Sequence, residues 1–113
     1  FTFMESPLSG VLYRGKPSDV NLRIAFGSAG NLEIEFIEVV SGASPHQEFL
    51  DAGREGIHHI RYRVPDCDAA IAALAGEGFA PIWYHDMGFA RFAYLEHTSC
   101  DGVLIELLEM ASA

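Results

Sequence analysis

The chain has 113 residues, half of them hydrophobic, and a formal net charge of −9. That is material for one domain with a modest core, and its hydrophobic content argues against disorder. The acidic balance excludes a nucleic-acid partner, which needs a basic face, and it disfavours anionic membrane surfaces.

No apolar run approaches the roughly 18–20 residues that span a bilayer, and no signal-peptide pattern opens the chain. Cys67 and Cys100 fall in no metal-ligand spacing, so a cytoplasmic protein with reduced thiols is expected. The opening FTFMES has no readable function, and Phe1 in place of a Met reads as a start inside a longer gene product. Alternation predicts strands over 21–26 (NLRIAF) and 31–39 (NLEIEFIEV), with GSAG between them as a hairpin turn. SPHQEFLDAG predicts a short helix, with Ser44 as N-cap, Pro45 in the first turn, Gln47 closing a capping box and Gly53 as the stop. A strand follows over 57–64. Asp66 then caps a helix that buries Ile71 and Leu74 and ends at Gly76 or Gly78. Strands over 79–85, 89–95 and 103–108 complete a βαβββ half.

The strands resemble one another in pairs. NLEIEFIE (31–38) lies on GVLIELLE (102–109), and LRIAF (22–26) lies on ARFAY (90–94), which matches Arg23 with Arg91 and Ala25 with Ala93. Arg23 precedes Glu35 by 12 residues and Arg91 precedes Glu106 by 15, a difference that a longer second hairpin loop absorbs. Only the second copy has the strand and helix of 56–78. The equivalent of His59 in the first copy falls before Phe1. The chain therefore reads as one domain over 1–113, with a partial first module (1–42), a linker helix (43–55) and a second module (56–113).

Strand parity sorts the faces. Val103, Ile105 and Leu107 suit the underside of a helix, and Glu106 lies on the other face between leucines. In 31–38, Leu32, Ile34 and Phe36 share one face, and Glu33, Glu35 and Ile37 the other. A carboxylate in an apolar hollow needs a cationic partner or a metal. Glu35, Glu106 and His59 arrive from separate strands as a mixed N/O set, suited to Zn, Ni, Co, Mn or Fe. His58 points away from His59 by the same parity and is assigned a structural role. Arg23, Arg61 and Arg91 are candidates to grip an anionic substrate, with Tyr84, His85 and Asp86 at the mouth of the hollow. His46 and His97 are expected in solvent.

The segments GREGIHHIRYRVPDCDAAIAALAGEGF and GFARFAYLEHTSCDGVLIELLE resemble the vicinal oxygen chelate superfamily, in particular the branch of glyoxalase I and methylmalonyl-CoA epimerase. YRGKPSDVNLRIAFGSAGNLEIEFIEVVSGASPHQEFL is similar to that branch too, so the resemblance covers nearly the whole chain. It implies an α+β fold in which paired βαβββ modules form a cupped mixed sheet around a metal. The first module here lacks its initial strand and helix. His59 and Glu106 match the second-module ligands and Glu35 the first-module Glu or Gln, while the first-module histidine has no position in this sequence. The resemblance also implies a homodimer acting on a small-molecule substrate as a metal-dependent lyase or isomerase that stabilises an enediolate. Glu106 is then the first choice to carry the proton and Glu35 the second. The alternatives are a ring-cleaving dioxygenase, which does not use the ligand at Glu35, and a non-enzymatic drug-binding protein.

Overall fold

The alternating segments assemble into one sheet. The computed structural model describes residues 2–111, so Phe1, Ser112 and Ala113 of the expected domain lie outside it. Its strands are β1 (Met4–Tyr13), β2 (Lys16–Ala29), β3 (Leu32–Ser41), β4 (His59–Arg63), β5 (Ala80–Asp86), β6 (Ala90–Glu96) and β7 (Leu104–Met110). Helix α1 (Pro45–Asp51) follows β3, α2 (Cys67–Ala75) follows β4, and a 3-10 turn (Thr98–Cys100) precedes β7. The spatial order is β3-β2-β1-β5-β6-β7-β4. β4 runs parallel to β7 and the other neighbours are antiparallel. This is the expected α+β architecture with a cupped mixed sheet. Among the described residues, no helix is long and apolar enough to cross a membrane.

β1 was not predicted. ESPLSG has no clean alternation, and the strand bulges between Leu8 and Val11, where Gly10 takes φ +70°. Its best signal is Arg14-Gly15. Both residues have positive φ (50° and 81°) and close Tyr13 onto Lys16, as a two-residue primed hairpin turn requires.

The repeat is visible in the ladder. Arg23 stands opposite Glu38 and Phe26 opposite Glu35; in the second hairpin Arg91 stands opposite Glu109 and Tyr94 opposite Glu106. The two hairpins have the same register, displaced about the central β1–β5 pair. One slipped residue in either hairpin would have put Glu35 and Glu106 on different faces.

Each face of the second half has its own core. On the outer face, α2 lies over Ala93, Leu95 and Leu107, with Ile71 and Leu74 packed there as expected. Asp66 Oδ1 accepts from the Ala69 amide at 3.0 Å, and Glu109 Oε1 accepts from the Cys67 amide at 2.8 Å, so β7 helps to cap the helix. The matching face of β3 leaves Leu32, Ile34 and Phe36 exposed. On the concave face, Val11, Val20, Leu22, Ile82, Trp83, Tyr94 and Leu104 form the other core.

Helix α1 packs beside that concave core. Ser44 Oγ accepts from the Gln47 amide at 3.1 Å, as predicted, but the Gln47 side chain donates to Asp51 Oδ1 and closes no capping box. Glu48 fixes the helix to the β1–β2 turn, accepting from Tyr13 Oη and, at 2.9 and 2.8 Å, from Arg14 Nε and Nη2. The turn from β3 into α1 passes through Gly42 at φ +94°, where a Cβ would collide with the Asp19 carbonyl and Val20.

Candidate functional site

Four strands aim polar side chains at one place on the concave face. In the ladder Arg61 stands opposite Glu106, and Glu106 opposite Tyr94, so these three share a face; His59, two residues before Arg61, joins them. β3 brings Glu35 from the far side of the cup. His59 Nε2 lies 3.1 Å from Glu106 Oε1 and 3.5 Å from Glu35 Oε1. Arg61 Nε donates to Glu106 Oε1 at 3.1 Å, and its Nη2 lies 3.7 Å from Glu35 Oε2. The side chains of Glu106, His59 and Glu35 are only 4, 9 and 15 % exposed, whereas Arg61 is 36 % exposed and forms the open side.

Behind the carboxylates is a group of rings. His58 Nδ1 and His59 Nδ1 are 2.8 Å apart, and His46 stacks on His58 with centroids 4.7 Å apart. Tyr94 stacks on His59 at 4.7 Å, and its hydroxyl is 2.9 Å from His46 Nε2. Burial and the neighbouring imidazoles push His46 down to about 3. Burial and His59 push His58 down to about 4. Burial alone would lower His59 as well, but its bonds to Glu106 and Glu35 and their charge outweigh it and hold the ring at about 9. His59 is therefore an imidazolium at neutral pH, beside two neutral histidines. Burial pushes the Tyr94 hydroxyl well up, so it stays protonated.

The structure thus brings Glu35, His59 and Glu106 together, and of the three candidate arginines it adds Arg61. It does not bring Arg23, Arg91 or Tyr84 there. Arg23 pairs with Glu38 at 3.1 Å, Arg91 with Asp86 at 3.0 Å, and Tyr84 donates to Asp68 of α2 at 2.8 Å, all on the opposite face of the sheet. Two expectations about histidines are corrected. His58 does not face away, because β4 begins at His59 and residue 58 is outside the pleat that would alternate. His46 is not in solvent but 5 % exposed, because α1 docks by that edge onto Trp83 and Tyr94. His97 is half-buried and caps the 3-10 turn by accepting from the Ser99 amide at 3.0 Å.

A cleft of about 530 Å³ opens beside α1, lined among others by Arg14, Phe49, Arg54, His58, Ile82 and Leu104. Its lining includes Glu48 and Glu96 but neither Glu35 nor Glu106. His58 is the shared wall, with one side toward the cleft and Nδ1 bonded to His59.

Sheet order, register and the Glu–His–Glu group describe a small α+β domain with one curled mixed sheet and its polar site inside the cup. Residues 8–94, more than half of the chain, match the Glyoxalase/Bleomycin resistance protein/Dioxygenase superfamily, and the chain belongs to that superfamily. It is 27% identical over 112 residues to the uncharacterized protein YqjC of Bacillus subtilis (strain 168), covering 96% of this chain and 80% of that protein. A hypothetical protein of Bacillus halodurans C-125 superposes with a TM-score of 0.64 at 32% identity, over 81% of this chain and 69% of that one. The methylmalonyl-CoA epimerase of Streptomyces coelicolor, in complex with 2-nitronate-propionyl-CoA, superposes with a TM-score of 0.57 at 22% identity, over 85% of this chain and 70% of that one, which is a likeness of fold.

Members of the superfamily commonly use divalent metals. The side chains as arranged here do not fit one. Each carboxylate is engaged by both His59 and Arg61, and the Arg61 guanidinium has no lone pair to offer. Among the described residues, no group of three or more His, Cys, Asp or Glu is placed to hold a metal ion.

Proposed function

We propose that the protein moves a proton on carbon next to a carbonyl group of a small oxygenated substrate, as an isomerase or lyase. The observation that carries this is Glu106, a buried carboxylate bracketed by His59 and Arg61, with Glu35 facing it across the cup. A carboxylate in such a place can accept the proton from a C–H bond. The electron pair then moves onto the carbonyl oxygen, and the enolate oxygen is met by N–H donors already fixed in position. Return of the proton to the other face of the carbon gives an epimer. Return at a neighbouring carbon gives an isomer, and departure of a leaving group gives the lyase outcome.

In this reading Glu106 is the first proton carrier and Glu35 the second. Arg61 is the specificity residue, because its two carboxylate contacts leave Nη1 for a substrate oxygen. The fold neighbour named as an epimerase supports the class of chemistry. Free Cys67 and Cys100 support a reducing, cytoplasmic setting.

A second reading, a non-enzymatic binding protein, is favoured by the separation of the 530 Å³ cleft from the carboxylates. Proton NMR in deuterated buffer distinguishes the two, with methylmalonyl-CoA and simple 2-hydroxy aldehydes as probes. Enzymatic proton transfer washes out the signal of the activated C–H without consuming oxygen. Saturable binding with no exchange supports the binding protein instead.

A further inference from the structure

The chain has only seven basic side chains other than histidine, and one of them stands at the most acidic point of the cup. Arg61 follows His59 by two residues on β4, so the pleat aims both at the same face. Its Nε is 3.1 Å from Glu106 Oε1, and its Nη2 is 3.7 Å from Glu35 Oε2. A single guanidinium therefore bridges carboxylates from the two modules, β3 in one and β7 in the other. Carboxylates this far out of water need a positive partner, and a fork-shaped, permanently charged group supplies it without a ligand.

A dication bound to Glu35, Glu106 and the His59 ring would have to sit within about 2.0–2.2 Å of their donor atoms. Arg61 Nε holds Glu106 Oε1, the same oxygen that faces His59 Nε2, and a guanidinium has no lone pair with which to join the coordination. The two cations are mutually exclusive there.

We propose that Arg61 is the permanent cation of this site, set beside the His59 ring where a divalent ion would bridge Glu35 and Glu106, and that its removal opens a three-ligand metal site. The proposal concerns charge and occupancy, and it holds whichever proton transfer the site performs.

The test uses the untagged full chain, stripped with chelator, dialysed and titrated with Co²⁺ alone by calorimetry and visible absorption. The wild type is expected to show no saturable Co²⁺ binding that depends on His59. Arg61→Ala and Arg61→Met are expected to bind one Co²⁺ per chain at least about a hundredfold more tightly, because a like charge a few ångströms away no longer opposes the ion. The double variant Arg61→Ala/His59→Ala is expected to lose that site. Circular dichroism checks that each variant is folded. Two results overturn the proposal. One is a wild type that takes up one Co²⁺ per chain, abolished by His59→Ala, with an affinity Arg61→Ala does not improve. The other is a folded Arg61→Ala and Arg61→Met that still bind none. Should both variants fail to fold, the wild-type titration alone decides: His59-dependent stoichiometric uptake refutes the proposal and its absence upholds it.

Discussion

His58 and His59, neighbours in sequence, are joined Nδ1 to Nδ1 at 2.8 Å, so one imidazole donates a proton to the other. The carboxylates decide the direction. His59 is held protonated by Glu106 and Glu35, so its Nδ1–H donates and His58 accepts as a neutral ring.

Stability should therefore fall on both sides of neutrality. His46 and His58 are lowered from 6.5 to about 3 and about 4, so the unfolded chain binds their protons more readily than the folded one. Their contribution is present above 6.5 and is lost as pH falls toward those values. His59 is raised from 6.5 to about 9, so its contribution is present below 6.5 and is lost as pH rises through about 9. Urea midpoints measured across this range should form a dome, with His46→Gln flattening the acid side and His59→Gln the alkaline side. A midpoint constant across the range would contradict the assignment.

The ring group should be sensitive to truncation. Tyr94→Phe removes the hydroxyl that meets His46 Nε2 and leaves a buried polar nitrogen unpaired, at a cost of about 1–3 kcal/mol. His46→Ala adds a cavity under α1 and should cost more, about 2–4 kcal/mol. Chemical denaturation of each variant checks both the sizes and their order.

The outward arginines should be dispensable. Arg23→Ala breaks an exposed cross-strand pair and should cost less than about 1 kcal/mol. Arg23→Ala, Arg91→Ala and Tyr84→Phe should leave ligand binding unchanged, whereas Arg61→Ala should weaken the binding of an anionic ligand. Titration calorimetry of the four variants against one carboxylate probe separates the two faces.

Gly42 is a structural requirement for placing α1. Its φ of +94° and the approach of the Asp19 carbonyl leave no room for a Cβ. Gly42→Ala should destabilise the fold by about 2 kcal/mol or more. Because α1 carries His46, it should also expose that ring, a change visible as its imidazole titration moving toward the ordinary range.

Glu35, His59 and Glu106 were legible because strand parity has a period of two and the repeat supplied a second copy of the pattern. Arg23 and Arg91 were candidates by charge alone, and the cross-strand register decides against them. Once Phe26 stands opposite Glu35 and Tyr94 opposite Glu106, an offset of three residues puts each arginine on the other face. His46 and His58 were not legible. Their positions depend on a short helix docking across the cup and on where β4 begins, neither of which is written in local periodicity. β1 was hidden by its bulge and its polar, proline-containing sequence.

The central claim is that Glu106 carries the proton, with Glu35 second. Its most direct test is the rate of solvent deuterium exchange into the activated C–H of the same probes, compared between the wild type, Glu106→Gln and Glu35→Gln. The account predicts exchange in the wild type, a loss of roughly 10²–10⁴-fold in Glu106→Gln and a smaller loss in Glu35→Gln, with all three proteins folded. Exchange that is undiminished in Glu106→Gln would contradict it.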